Sequence, residues 1–115
     1  MEAPQMVKAE GELSTDQVLV YANLRKMGQF VILAICDVEL LGRTLKEGKI
    51  VFQVREEFYK GLKMSVDEAI DLVEQSTIVN MVGHNIVKKA LEKGLIHPEA
   101  ILNISGVPHA QIVKM

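Results

Sequence analysis

Cysteine is nearly absent from this chain. Cys36 is the single cysteine in 115 residues, so no disulfide can close within the chain and a cysteine-rich zinc site is excluded. A lone thiol suits a reducing compartment, which predicts a cytoplasmic protein. Long apolar runs are missing too. The longest, Phe30 to Cys36, is seven residues, far short of the ~20 that cross a bilayer as a helix, so no membrane association is expected. The first residues carry Glu2, Lys8, Glu10, Glu12 and Asp16 and lack the basic start and apolar stretch of a signal peptide. A large net charge is also lacking: 13 Lys and Arg stand against 15 Asp and Glu, a balance of −2. That does not describe a protein that coats nucleic acid or an acidic membrane. No glycine-rich phosphate loop, nucleophile elbow or dinucleotide fingerprint occurs. His84, His97 and His109 lack the paired short spacing of a zinc site, and Asp67, Glu68 and Asp71 lack the glycine pattern of a calcium loop. Neither a metal nor a cofactor is expected.

What is present is an ordinary globular balance, 49% hydrophobic and 24% charged, which excludes wholesale disorder. Residues 1–17, with Pro4, Gly11 and several acids, show no amphipathic period and read as a flexible tail. Residues 18–115 read as a single α+β domain. Val18 to Arg25 alternates as a strand, with Val20, Ala22 and Leu24 on one face and Tyr21, Asn23 and Arg25 on the other. Lys26 to Gln29 makes a hairpin turn through Gly28. Phe30 to Cys36 is apolar on both faces, which marks a central strand. Asp37 to Gly42 suits one helical turn or a tight loop, Lys49 to Val54 a further strand, and Glu56 to Lys63 a loop. Ser65 with Glu68 three residues on is a capping box, and Val66, Ala69, Ile70 and Val73 follow helical spacing.

Thr77 to Gly83 is ambiguous. Its β-branched residues allow a strand, but Ile78, Val82, Ile86 and Ala90 recur at four-residue steps, and helix is favoured. Ile86 to Lys93 continues as an amphipathic helix ended by Gly94. Ala100 to Ile104 and Ala110 to Val113 are the last strands, joined by a loop, Ser105 to His109, bent by Gly106 and Pro108. The expected fold is α+β: a small, mostly antiparallel sheet of about five strands with two to three helices packed on one face.

Several residues can carry chemistry. Cys36, at the end of a strand beside a turn, is a candidate nucleophile, with a histidine such as His109 as base. Asp37 and Glu39 nearby would oppose its ionisation, and the plainer alternative makes Cys36 a buried apolar residue and Asp37 the cap of the turn that follows. His109 and Gln111 offer hydrogen-bonding groups on a rigid loop. Asn80, an amide among apolar neighbours, needs a partner wherever it is buried. From Arg43 to Lys63, six basic residues face three acidic ones, interleaved with Phe52, Phe58 and Tyr59. A basic, aromatic face can hold phosphate and stack on unpaired bases. A solvated strand edge protected by lysines is the ordinary alternative.

The segments Cys36 to Arg43, Glu47-Gly48, Glu57-Phe58-Tyr59 with Gly61, Thr77 to Gly83, Gly94-Leu95-Ile96 and Gly106 to Gln111, taken together, resemble an archaeal family known as domain of unknown function 424. His84 departs from it, standing where the family pattern has an acid. The resemblance implies an archaeal source and a compact α+β fold, and brings no established activity or cofactor. Its polar motif residues are Cys36, Asp37, Glu39, Arg43, Asn80, His109 and Gln111, which the pattern suggests converge on one site. Small archaeal families of this kind suggest RNA or a ribosome- or translation-associated protein as partner. The leading expectation is a non-enzymatic binding module that docks through the loops around Gly42-Arg43 and Gly106 to Gln111. The alternatives are a small cytosolic enzyme using Cys36 and His109, and a homodimer with paired sheet edges.

Overall fold

The computed structural model of the chain describes residues 18–114; the expected N-terminal tail lies outside them. Strand β1 (Leu19–Met27) turns through Gly28 and Gln29 into β2 (Phe30–Asp37). Gly28 supplies the positive φ of +64° that such a tight turn requires. A single 3₁₀ turn (Val38–Leu40) leads to a separate hairpin, β3 (Thr44–Glu47) and β4 (Ile50–Gln53). A one-turn helix α1 (Glu56–Tyr59), β5 (Leu62–Ser65), α2 (Val66–Val73), β6 (Ile78–Val82) and α3 (His84–Glu92) follow, and the chain closes with the hairpin β7 (Leu102–Ile104) and β8 (Val107–Val113).

Six of these strands form one sheet in the order β5-β1-β2-β6-β8-β7. It is mixed rather than wholly antiparallel, because β2 and β6 run parallel with Cys36 opposite Val82 and Ala34 opposite Asn80. The α+β class stands; the main sheet has six strands, not about five. Thr77 to Gly83 is the main local correction, since Ile78–Val82 is a central strand and not a helix. Residues buried on both faces lose the period-2 signature that would have marked it. The pairing is fixed where Thr77 N–H donates to Val31 O (2.7 Å) and Val31 N–H donates to Thr77 Oγ1 (3.1 Å). Two further strands are unexpected: β3 falls between the Asp37 to Gly42 turn and the Lys49 to Val54 strand, and β5 begins in the Glu56 to Lys63 stretch that reads as loop. The last linker is also shorter than expected. Ser105 and Gly106 alone form the turn, both with positive φ (54° and 82°), so Pro108 and His109 sit within β8 rather than on a loop.

The two faces of the sheet are covered differently. On one face α2 and α3 pack over Val20, Ala22, Leu33, Ile35, Val79, Met81 and Ala110. The capping box is present as the sequence suggests: Glu68 N–H donates to Ser65 Oγ and Ser65 N–H to Glu68 Oε1. Helices α2 and α3 therefore lie on one side, whereas the short α1 lies on the opposite side, which is covered too. There the β3–β4 hairpin and α1 place Leu45, Val54 and Tyr59 over Ala34, Cys36, Val82 and Ile104. Glu47 ties the hairpin tip to the β7–β8 turn by accepting from Ser105 N–H at 2.5 Å. No described helix is long and apolar enough to cross a membrane.

Candidate functional site

Strand alternation decides which side chains meet. On β6 and β8 every second residue points to the hairpin-covered side, and Asn80 faces Gln111 directly across the pair, as Val82 faces His109. Asn80, His109 and Gln111 accordingly form the floor of one cleft of about 370 Å³. Its walls come from β4 and the segment around α1: Phe52 and Gln53, then Arg55, Phe58 and Tyr59. The Phe52 and His109 rings lie 4.8 Å apart, tilted by 58°. A neighbouring depression of about 390 Å³ runs from Gly42 and Thr44 to Glu56 and Glu57, sharing Gln53 and Arg55 with the cleft.

Contacts beneath the cleft hold its wall in place. The Phe58 carbonyl accepts from Asn23 Nδ2 (3.1 Å) and Arg25 Nη2 (3.3 Å). The Arg25 guanidinium also lies 5.0 Å from the centre of the Phe58 ring, a cation–π contact of ~0.5–1 kcal/mol. Arg25 was not singled out in the sequence. Its place on the same strand face as Tyr21 and Asn23 is the signal that could have found it.

The polar groups lining the cleft are unspent. Among the described residues no hydrogen bond is made by the side chains of Asn80, His109 or Gln111, nor by the Tyr59 hydroxyl, although Tyr59 is only 3% exposed. Burial lowers the pKa of His109, so the ring is neutral at pH 7 and offers one donor and one acceptor. Burial raises that of Tyr59, with Cys36 nearby adding to it. Arg55 makes a long ion pair with Glu57 (3.9 Å) between two largely exposed side chains, which ties it down little.

The other expected site residues lie elsewhere. Cys36 and His109 do not form a nucleophile–base pair. Val82 stands between them in register, which separates their backbones by two strand spacings, roughly 9–10 Å. Cys36 is fully buried, and burial, with Asp37 and then Glu39 adding to it, pushes its thiol up to about 12. A thiol in that state keeps its proton at neutral pH and packs as a small apolar side chain.

Asp37 points to the opposite face of the sheet. It does not cap the turn that follows it. Its carboxylate instead accepts from Asn85 N–H (2.8 Å) and Ile86 N–H (3.1 Å) at the start of α3. Gly83 (φ +124°) lets the chain pass so close that a Cβ there would fall 2.3 Å from Asp37 Cγ. Burial raises the Asp37 pKa against the pull of those two N–H groups. Asp37 thus fills the anion position of a helix N-terminus internally. Glu39 and Arg43 are exposed and line neither depression. The seven motif residues therefore do not share one site; three of them do. Among the described residues no three His, Cys, Asp or Glu side chains are grouped to hold a metal.

Comparison with known proteins agrees with the fold. A crystal structure of an uncharacterized conserved protein from Methanopyrus kandleri is similar at 28% identity, with a TM-score of 0.72 over 84% of this chain and 94% of that one. Its source is in keeping with the archaeal setting that the resemblance implies. No curated protein matches. The model of the family described as protein of unknown function DUF424 matches residues 24–115, and the chain belongs to that family.

Proposed function

We propose that this DUF424 protein is a non-enzymatic binding module whose partner is RNA, in the setting of the translation apparatus. One observation carries the reading: a single cleft gathers Asn80, His109 and Gln111, none hydrogen-bonded within the described chain, beside Phe52, Phe58 and Arg55. Aromatic rings, free amides and a guanidinium are the groups that hold single-stranded RNA: rings stack on bases, amides meet base edges and arginine meets phosphate. The wider basic stretch adds Arg43, Lys46 and Lys49 around the hairpin, and Lys63, whose ammonium lies 5.6 Å from the centre of the Tyr21 ring. The burial of Cys36 weighs against an enzyme built on it.

The test is retention of the full chain on immobilised single-stranded RNA across a salt series. Binding that weakens as salt rises, and weakens further in Arg55→Ala and Arg43→Ala, is the expected result. Absence of retention, or retention indifferent to salt, removes RNA as the partner. Capture from native cell extract with and without nuclease then separates a partner bridged by RNA from one bound through protein contacts alone.

A further inference from the structure

The cleft is small. About 370 Å³ lies at the lower end of ligand-sized pockets, ~300–1,000 Å³, too little for a helix or a duplex and well suited to one flat ring. Asn80 and Gln111 are direct cross-strand partners on one face, so their Cβ atoms lie ~4.5–5.5 Å apart. Two planar amides side by side present alternating donors and acceptors to the same edge. A buried polar group left unpaired is costly, ~1–3 kcal/mol; the nearly buried Tyr59 is one such residue, and it lines this space beside the half-buried Asn80 and His109 and the exposed Gln111. A ligand that meets them together gains from each. The same space is walled by Phe52 and Phe58, and the second ring is already fixed by Arg25 (5.0 Å) and the hydrogen bonds to its carbonyl. A wall held in place loses little freedom when a ring stacks on it.

We infer that this cleft receives one unpaired nucleobase, stacked against the Phe52–Phe58 wall and held at its edge by the Asn80 and Gln111 amides, with Arg55 at the rim taking the adjoining phosphate. The inference rests on the RNA reading above and adds to it a prediction of base selectivity. Rings and arginine alone would bind every base alike, because each base has a stackable face and each phosphate the same charge. Paired amides discriminate between edges.

Fluorescence polarisation with labelled oligo(rA), oligo(rC) and oligo(rU) at two salt concentrations tests it on the full chain. The wild type is expected to prefer one of the three by about tenfold, within the range of one good amide–base pairing. Asn80→Ala and Gln111→Ala are each expected to erase most of that preference while leaving the salt dependence unchanged. Arg55→Ala is expected to weaken all three alike and to flatten the salt dependence. Thermal melts confirm that the variants are folded, and Gln111, exposed on its strand, serves if Asn80→Ala unfolds. Salt-dependent RNA binding with no base preference, or with a preference that folded amide variants retain, overturns the base pocket and leaves the RNA reading standing. Failure to bind any of the three oligonucleotides overturns both.

Discussion

The two faces of the central sheet share the same strands and differ in almost everything else. The helix-covered face is closed by aliphatic side chains: Leu33, Ile35, Val79, Met81, Ile86 and Val87 are all at 2% exposure or less. Its buried polar groups sit at helix ends, where Asp37 and Ser65 satisfy backbone N–H groups. The hairpin-covered face is built from smaller and mixed residues. Ala34, Cys36 and Val82 lie at its sealed end under Leu45 and Tyr59, and Asn80, His109 and Gln111 at its open end. A face made wholly of aliphatic groups has nothing left to offer a ligand. A face that keeps half-buried and exposed amides and an imidazole without internal partners still has polar groups to offer one. The lesson is a division within one sheet, with a closed apolar layer on one side and a cleft lined by unpaired polar groups on the other.

The sharpest way to break this contrast is to cut a side chain from each face and compare urea unfolding. Leu33→Ala is expected to cost about 3 kcal/mol, the usual loss for a fully buried leucine, with RNA retention of the folded fraction unaltered. Phe52→Ala, on a half-buried ring, is expected to cost about 1–2 kcal/mol and to abolish retention. Equal losses in the two variants would show that the hairpin face is a second stabilising core and nothing more.

A second comparison probes the sealed end of the hairpin face. The Cys36 thiol is expected to react with a disulfide reagent at pH 7.5 only as fast as the protein unfolds, since its pKa is near 12 and it is fully buried. Cys36→Ser is expected to cost about 1–3 kcal/mol by placing a hydroxyl among apolar groups. Rapid labelling under native conditions would mean that the hairpin opens without global unfolding.

The smallest effect belongs to His109. Its pKa is lowered in the folded state by burial, so below the ordinary value of 6.5 the unfolded chain binds the proton more readily. Stability should therefore fall as pH drops through 6.5 toward the folded-state pKa and stay level above it. Denaturant midpoints measured on either side of that window, in wild type and His109→Gln, check the sign. A variant that keeps the full acid-side loss would assign the effect to another group.

Much of the helix face was legible in the sequence. Ser65 and Glu68 announce a helix start because a cap acts over three residues, and Phe30 to Cys36 announces a buried strand because seven apolar residues have nowhere else to go. The hairpin face was harder. Ile50–Gln53 was readable because apolar Ile50 and Phe52 alternate onto one face, but its partner Thr44–Glu47 offers one apolar residue, Leu45, and at the edge of the main sheet Leu62–Ser65 begins with a leucine that is 73% exposed, so neither shows a pattern. Asp37 looked like the cap of its own turn because the sequence shows only near neighbours, while its actual partners lie 48 and 49 positions on. Likewise, the expected single site dissolved because a shared motif carries no distance, and strand parity turns Asp37 and Cys36 to opposite sides.

By itself the sequence determined the α+β class, the Gly28 hairpin, the capped start of α2 and the end of α3 at Gly94, all set by interactions within a few residues of chain. The tertiary structure alone decided that Ile78–Val82 is a strand and that Asn80, His109 and Gln111 meet beneath Phe52 and Phe58. Those outcomes depend on the register of β6 against β2 and β8, and register is chosen by burying both faces of the sheet at once.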